Sequence, residues 1–151
     1  MRMRGFEVAA GWENKGIHLP KRQTAHAAAY DIEAAEDTLV PKFQPGVKPT
    51  LIPTGLKAYC QPDECYFVFN RSSGAGKGLV LANGVGIIDA DYYNNSDNDG
   101  HFSVVVFNVT DQDLVVKKGD RIAQVVFQKF LTTDDDEAMG KRKGGFGSTD
   151  N

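Results

Sequence analysis

Two aspartates leave the end of an apolar strand in GVGIIDADYYNNSDNDGHF, residues 84–102. Asp89 and Asp91 follow Ile87 and Ile88 with one alanine between them. A carboxylate is costly to desolvate unless it is paired. At such a strand end it serves either a turn or a reaction, where it would act as a general base. NRSSGAGKG, residues 70–78, also follows a strand and gathers three glycines, two serines, Arg71 and Lys77. Bare backbone N–H groups, hydroxyls and a guanidinium together suit phosphate oxygens. The spacing is not that of a P-loop, since GxxxxGK[ST] is absent. Asp31 in AAAYDIEAA and Asp120 in GDRIAQ each read, taken alone, as a solvated strand-start acid and a turn cap. Phe146 stands between Gly145 and Gly147 in a glycine-rich tail, an odd place for a large apolar group unless it meets something.

The elements that must position these residues are strands. YCQPDECYFVF reads as two strands around a Pro-Asp turn, across which Cys60 and Cys65 would face each other in a hairpin. TLIPTGLKAY is a strand with a bend or bulge at Pro53-Thr54-Gly55. GHFSVVVFNVT and QDLVVKKGDRIAQVVFQKF are long Val- and Phe-rich strands, punctuated at Thr110-Asp111 and Lys118-Gly119-Asp120. The one helix signal covers residues 74–81, after Ser72-Ser73. Short strands with regular turns predict an all-β, jelly-roll type of domain.

With 151 residues, 41% hydrophobic and 25% charged, the chain has the composition of one globular domain. No apolar run approaches the roughly 20 residues of a membrane helix, and no secretory leader is evident. Both point to the cytoplasm and away from a membrane. A net charge of -3 argues against a nucleic-acid partner. The spacing of the two cysteines fits neither a zinc site nor a CxxC motif, and reduced thiols are expected. The chain divides into a β-barrel over residues 1–131 and a flexible arm over residues 132–151.

AYDI, RSSGAGKG, NGVGIIDADY, GDRIAQ and GGFGST occur in this order across nearly the whole chain. Together they resemble the five ordered motifs of the trimeric dUTPase family. The resemblance implies a distorted jelly-roll barrel with one short helix, and a homotrimer whose sites are shared between subunits. It implies hydrolysis of dUTP to dUMP and pyrophosphate by water attack on the α-phosphorus, with Mg2+ held mainly by phosphates and water.

Residue by residue, the resemblance gives Asp89 the role of activating the attacking water. It pairs Asp91 with Arg121. It assigns Asn83 and the strand residues Gly86, Ile87 and Ile88 to the uracil, and Tyr92 to the deoxyribose, where its ring excludes a 2′-hydroxyl. Arg71, Ser72, Ser73, Gly74 and Gln124 would hold the phosphates. Asp31 would reach the metal indirectly, through water. Phe146 would stack on the uracil as a lid over a neighbouring subunit's site, with Gly147 and Ser148 around the γ-phosphate.

The chain departs from the pattern in three places. Arg142 is the candidate γ-phosphate arginine one residue out of register, with Lys141 as the alternative. Asp150 stands where glycine is common and is expected to point away. Residues 94–99 form a six-residue polar insertion beside the nucleoside pocket, a surface loop that would tune access or bind a regulator. Two other readings share these residues: a dCTP deaminase, which needs a glutamate base, and a dUTP-sensing protein with a regulatory partner.

Overall fold

The computed structural model describes residues 1–149. Ten strands are threaded with one short helix. In chain order these are β1 (Gly5–Val8), β2 (Tyr30–Glu33), β3 (Thr38–Val40), β4 (Thr50–Tyr59), β5 (Glu64–Phe69), α1 (Ser72–Gly76), β6 (Leu79–Leu81), β7 (Gly86–Asp89), β8 (Phe102–Asn108), β9 (Leu114–Val116) and β10 (Arg121–Lys129). One antiparallel sheet has the order β1-β4-β8-β6, and the other β2-β10-β5-β7, with β3-β9 as a two-stranded flank. This is the all-β, jelly-roll-like architecture that the strand punctuation predicts. No helix among the described residues is long and apolar enough to cross a membrane.

The two sheets close on a core in which Ile52, Leu56, Tyr66, Val104 and Val125 are almost fully buried. Burying each of the four aliphatic side chains contributes roughly 1.5–3 kcal/mol. The Tyr66 ring packs against Phe102 and Phe127, joining the sheets behind the functional site. The bulge predicted in β4 is present, where the register shifts between Pro53 and Leu56. Gly55 takes φ +69° there, and Thr54 Oγ1 accepts from the Leu56 N–H at 3.1 Å.

Two expectations fail. The helix spans Ser72–Gly76, not residues 74–81. Gly78 turns the chain at φ +84°, and Leu79, Val80 and Leu81 then find β8 as a hydrogen-bonding partner. Three β-capable apolar residues gain more from a ladder than from a glycine-poisoned helix. The Cys60–Cys65 hairpin does not form either. β4 and β5 belong to different sheets, so the QPDE turn carries the chain from one layer to the other. Both thiols are free, and burial pushes Cys60 up to about 11 and raises Cys65 as well.

Candidate functional site

β7 is the short edge strand of the second sheet, paired to β5 with Gly86 opposite Val68 and Asp89 opposite Cys65. At Asp89 the strand gives way to a 3₁₀ turn over Ala90–Tyr92. The pleat ends there, so both acids emerge on the surface: their side chains are 59% and 60% exposed. Asp89 makes no side-chain cap to the turn it adjoins, so a turn role does not account for it. Tyr92 is buried behind them. Burial raises its pKa, and its hydroxyl donates to the His101 carbonyl at 2.8 Å.

A cavity of about 200 Å³ opens beside this turn, lined by Asn83, Gly86, Ile87, Asp89, Tyr92 and Phe146, among others. Ile87 is 64% exposed although apolar, which leaves its side chain as a hydrophobic wall for a flat ligand. Gly86 is buried, and a side chain there would press on Val68 and the Asn83 amide. Close approach of the backbone is thus preserved. Peptide groups and the Asn83 amide offer donors and acceptors beside an apolar wall, the chemistry that reads the edge of a base.

The tail comes back over the cavity of its own chain, where the resemblance implies a neighbouring subunit's site. Arg142 spans both acids, with Nη2 donating to Asp89 Oδ2 and Nε to Asp91 Oδ1, each at 2.8 Å. Its side chain is only 9% exposed, and Asp91, then Asp89, raise its pKa. Its Nη1 donates to Ser148 Oγ at 3.3 Å. Gly147 turns at φ +76° and lines the cavity with Phe146. The Phe146 ring is 73% exposed. Of the two basic candidates in the tail, Arg142 is therefore the one at the acids, while Lys141 is exposed. Asp150 lies outside the described residues.

The remaining predicted residues gather elsewhere. Arg71 Nε donates to Asp31 Oδ1 at 2.9 Å and its Nη1 to the Arg121 carbonyl and to Ser73 Oγ, both at 3.3 Å. Gln124 pairs with Asp31 on one side and Phe69 on the other, and its amide donates to the Asn70 carbonyl at 2.9 Å. Ser72, Ser73 and Gly74 form the start of α1. Arg71 and Arg121 thus meet around Asp31, with the Ser73 hydroxyl on Arg71, and guanidiniums beside hydroxyls make a cradle suited to phosphate. The expected Asp91–Arg121 pair is not made within the chain. Arg121 stands 3.8 Å from Asp31, and Asp91 takes Arg142 instead.

Several residues in this neighbourhood carried no signal singly. Asn70 fastens the helix segment, donating to the Leu79 carbonyl and accepting from the Leu81 N–H. Ser96 and Asp97 of the insertion touch the tail. Only the unusual length of that polar run could have drawn attention to them.

An antiparallel jelly-roll with a base-sized cavity and a separate cradle suited to phosphate has the makings of a nucleotide-acting β-barrel protein. The profile of the dUTPase family matches residues 15–150, and the chain belongs to that family. It is 53% identical to the deoxyuridine 5′-triphosphate nucleotidohydrolase of Lactococcus lactis subsp. lactis, over 99% of both chains. It is 41% identical to the one of Desulfitobacterium hafniense, covering 95% of this chain and 94% of that one. The crystal structure of dUTPase from Streptococcus mutans superposes with a TM-score of 0.79 at 46% identity, over 86% of this chain and 98% of that one. The dUTPase of phage phi11 shares the fold at a TM-score of 0.72 with 17% identity, over 92% and 97% of the two chains.

Proposed function

We propose that this chain hydrolyses dUTP to dUMP and pyrophosphate, acting in the cytoplasm to keep uracil out of DNA and to supply dUMP. The observation that carries the reading is the placement of Asp89. It is an exposed carboxylate at the mouth of a base-sized cavity, in a chain of the dUTPase family. The family match and the named relatives favour this enzyme over the deaminase and sensing alternatives.

In this mechanism uracil enters between Ile87 and Phe146, with the Asn83 amide and the backbone of residues 86–89 on its edge. Cytosine would present opposite polarity to those groups and leave them unpaired, which discriminates strongly. The Tyr92 ring stands under the deoxyribose and leaves no room for a 2′-hydroxyl. Among the described residues Asp89 Oδ1 takes no hydrogen bond, while Oδ2 holds Arg142. Oδ1 is the oxygen that receives a proton from the attacking water. The water's oxygen bonds to the α-phosphorus as the bond to the bridging oxygen breaks, and pyrophosphate leaves. Arg142, with Gly147 and Ser148 beside it, moves from the acids to the γ-phosphate as the arm of residues 132–151 closes as a lid. The glycines, and the absence of strands past Lys129 among the described residues, support an arm that flexes against the barrel.

Magnesium fits this chain as a companion of the substrate. Asp31 is the acid beside the cradle and is shared with Arg71 and Arg121, so it would reach a phosphate-bound ion through water. When bound, the ion neutralises the triphosphate and fixes its geometry.

Strand register supports an assembly in which copies share each site. Uracil lies at the Gly86 end of β7 and the reaction at the Asp89 end, so the phosphates run on past Asp89. The chain's own Arg71 lies the other way. Asp89 is opposite Cys65, and six further residues at ~3.3 Å each separate Cys65 from Arg71, about 20 Å. The cradle must then come from another copy, and a homotrimer closes such a head-to-tail contact into a ring.

The test is pyrophosphate release from dUTP, dCTP, dTTP and UTP with Mg2+, comparing the wild type with Asp89→Asn. Release from dUTP alone is expected, with kcat down about 10²–10⁴-fold in the variant and KM little changed. Ammonia release from dCTP, or full activity in Asp89→Asn, would overturn the reading.

A further inference from the structure

The polar insertion is a built object. Its base is pinned to the barrel by Lys57, whose Nζ reaches Asp99 Oδ2 at 2.8 Å and Asn94 Oδ1 at 2.6 Å. Lys57 is 13% exposed, and Asp99 also accepts from the Ala10 N–H at 2.9 Å. Desolvation would raise the Asp99 pKa, but Lys57 and the Ala10 N–H outweigh it, and the net shift is downward. Inside the loop Asn95 donates to the Tyr92 carbonyl and to Asn98 Oδ1, at 2.8 and 2.7 Å. Asn98 donates to the Tyr92 hydroxyl at 2.8 Å. Asn95 Oδ1 also accepts the N–H groups of Asp97 and Asn98, at 3.0 and 3.2 Å. A solvated spacer would have little use for so many internal bonds.

The outer edge of this loop meets the tail. Ser96 Oγ donates to the Lys143 carbonyl at 2.9 Å. Asp97 Oδ2 accepts the Gly145 N–H at 2.8 Å. Gly144 and Gly145 are buried against the loop. A methyl on Gly144 would strike the Asp97 carboxylate, and one on Gly145 would lie 2.8 Å from the Asn98 amide. The contact brackets the two residues that matter to the lid, with Arg142 on one side and Phe146 on the other.

We infer that the insertion of residues 94–99 is the seat of the C-terminal arm, and that Asp97 and Ser96 are positioning residues for the reaction. They hold the backbone of residues 143–145 so that Arg142 reaches the acids or a phosphate and Phe146 overhangs the cavity. The loop also fixes the Tyr92 hydroxyl through Asn98, so one rigid bracket sets both the floor and the lid of the nucleoside pocket. The inference rests on the reading of the arm as a lid.

The test uses the full-length protein as its native assembly, with Asp97→Ala, Asp97→Asn, Ser96→Ala, and a truncation after residue 139. Hydrogen exchange of residues 142–147 is followed without ligand and with a non-hydrolysable dUTP analogue, alongside kcat, KM and Tm. Asp97→Ala should speed exchange of the ligand-free arm about tenfold, the scale of one charge-assisted hydrogen bond. It should raise KM for dUTP more than it lowers kcat, with Tm unchanged. Asp97→Asn keeps an acceptor for the Gly145 N–H and should recover most of both effects, and Ser96→Ala should give a smaller change in the same sense. Unchanged arm exchange in Asp97→Ala overturns the seat. If truncation abolishes turnover while Asp97→Ala has no effect, the lid stands and the seat falls. If truncation leaves turnover intact, the lid reading itself fails and takes the positioning role with it.

Discussion

Arg142 illustrates how much a single residue's role depends on what surrounds it. In the sequence it is one of three basic residues in a row, slightly out of register. In the structure its two faces are both engaged, by Asp89 and Asp91, and no spacing rule could have shown that. The place of Asp89 at a strand end beside the cavity was legible, because an acid ending an apolar strand marks where the pleat stops. The Asp91–Arg121 pairing was not, because whether two side chains meet within one copy is decided by sheet register. His101 gives no site signal in the sequence, where a solvated or core-satisfied histidine is the expectation, and the structure places it among packed partners. Its Nε2 accepts the Gly55 N–H at 3.0 Å, its ring stacks on Trp12 at 5.4 Å, and burial holds its pKa below the ordinary 6.5. The unfolded chain therefore binds the proton more readily. Stability from this group is complete above pH 6.5 and is lost as pH falls toward the depressed native value. Thermal unfolding followed by fluorescence of Trp12, the one tryptophan, should show Tm declining below pH 6.5. His101→Gln should flatten the decline down to about pH 5, where carboxylates take over.

Among the elements, the long strands were the most readable, since β4, β8 and β10 carry their alternation and their breaks in plain view. The helix was misplaced because the preference of Leu79-Val80-Leu81 for β8 is a tertiary fact. The insertion was recognised as polar and extra, but its internal bonding arises from Asn and Asp side chains answering one another in three dimensions. Its closure depends on Gly100, at φ +89°, where a methyl group would lie 2.9 Å from the Asn94 nitrogen and 3.1 Å from the Tyr92 carbonyl oxygen. These are backbone atoms that cannot swing aside. Gly100→Ala should cost at least about 1–2 kcal/mol from the left-handed conformation alone, measured by urea unfolding. It should also loosen Tyr92, raising KM for dUTP.

At the scale of the whole molecule, the separation of cradle from cavity makes a prediction that no single chain can satisfy. Asp89→Asn and Arg71→Ala should each be nearly inactive as pure assemblies. Unfolding and refolding them together at equal concentration should return activity, because some sites then draw an intact Asp89 from one copy and an intact Arg71 from another. Random mixing would repair about a quarter of the sites. Mixed protein that stays inactive would place the whole site within one copy. The turn between the two layers bears on a different property, chemical durability. Cys60 at that turn and Cys65 just beyond it are kept as thiols by burial, and it is the thiolate that peroxides and disulfides attack. The raised pKa of both sulfhydryls favours the less reactive thiol form, and the protein should keep its activity in air without a reductant to protect it.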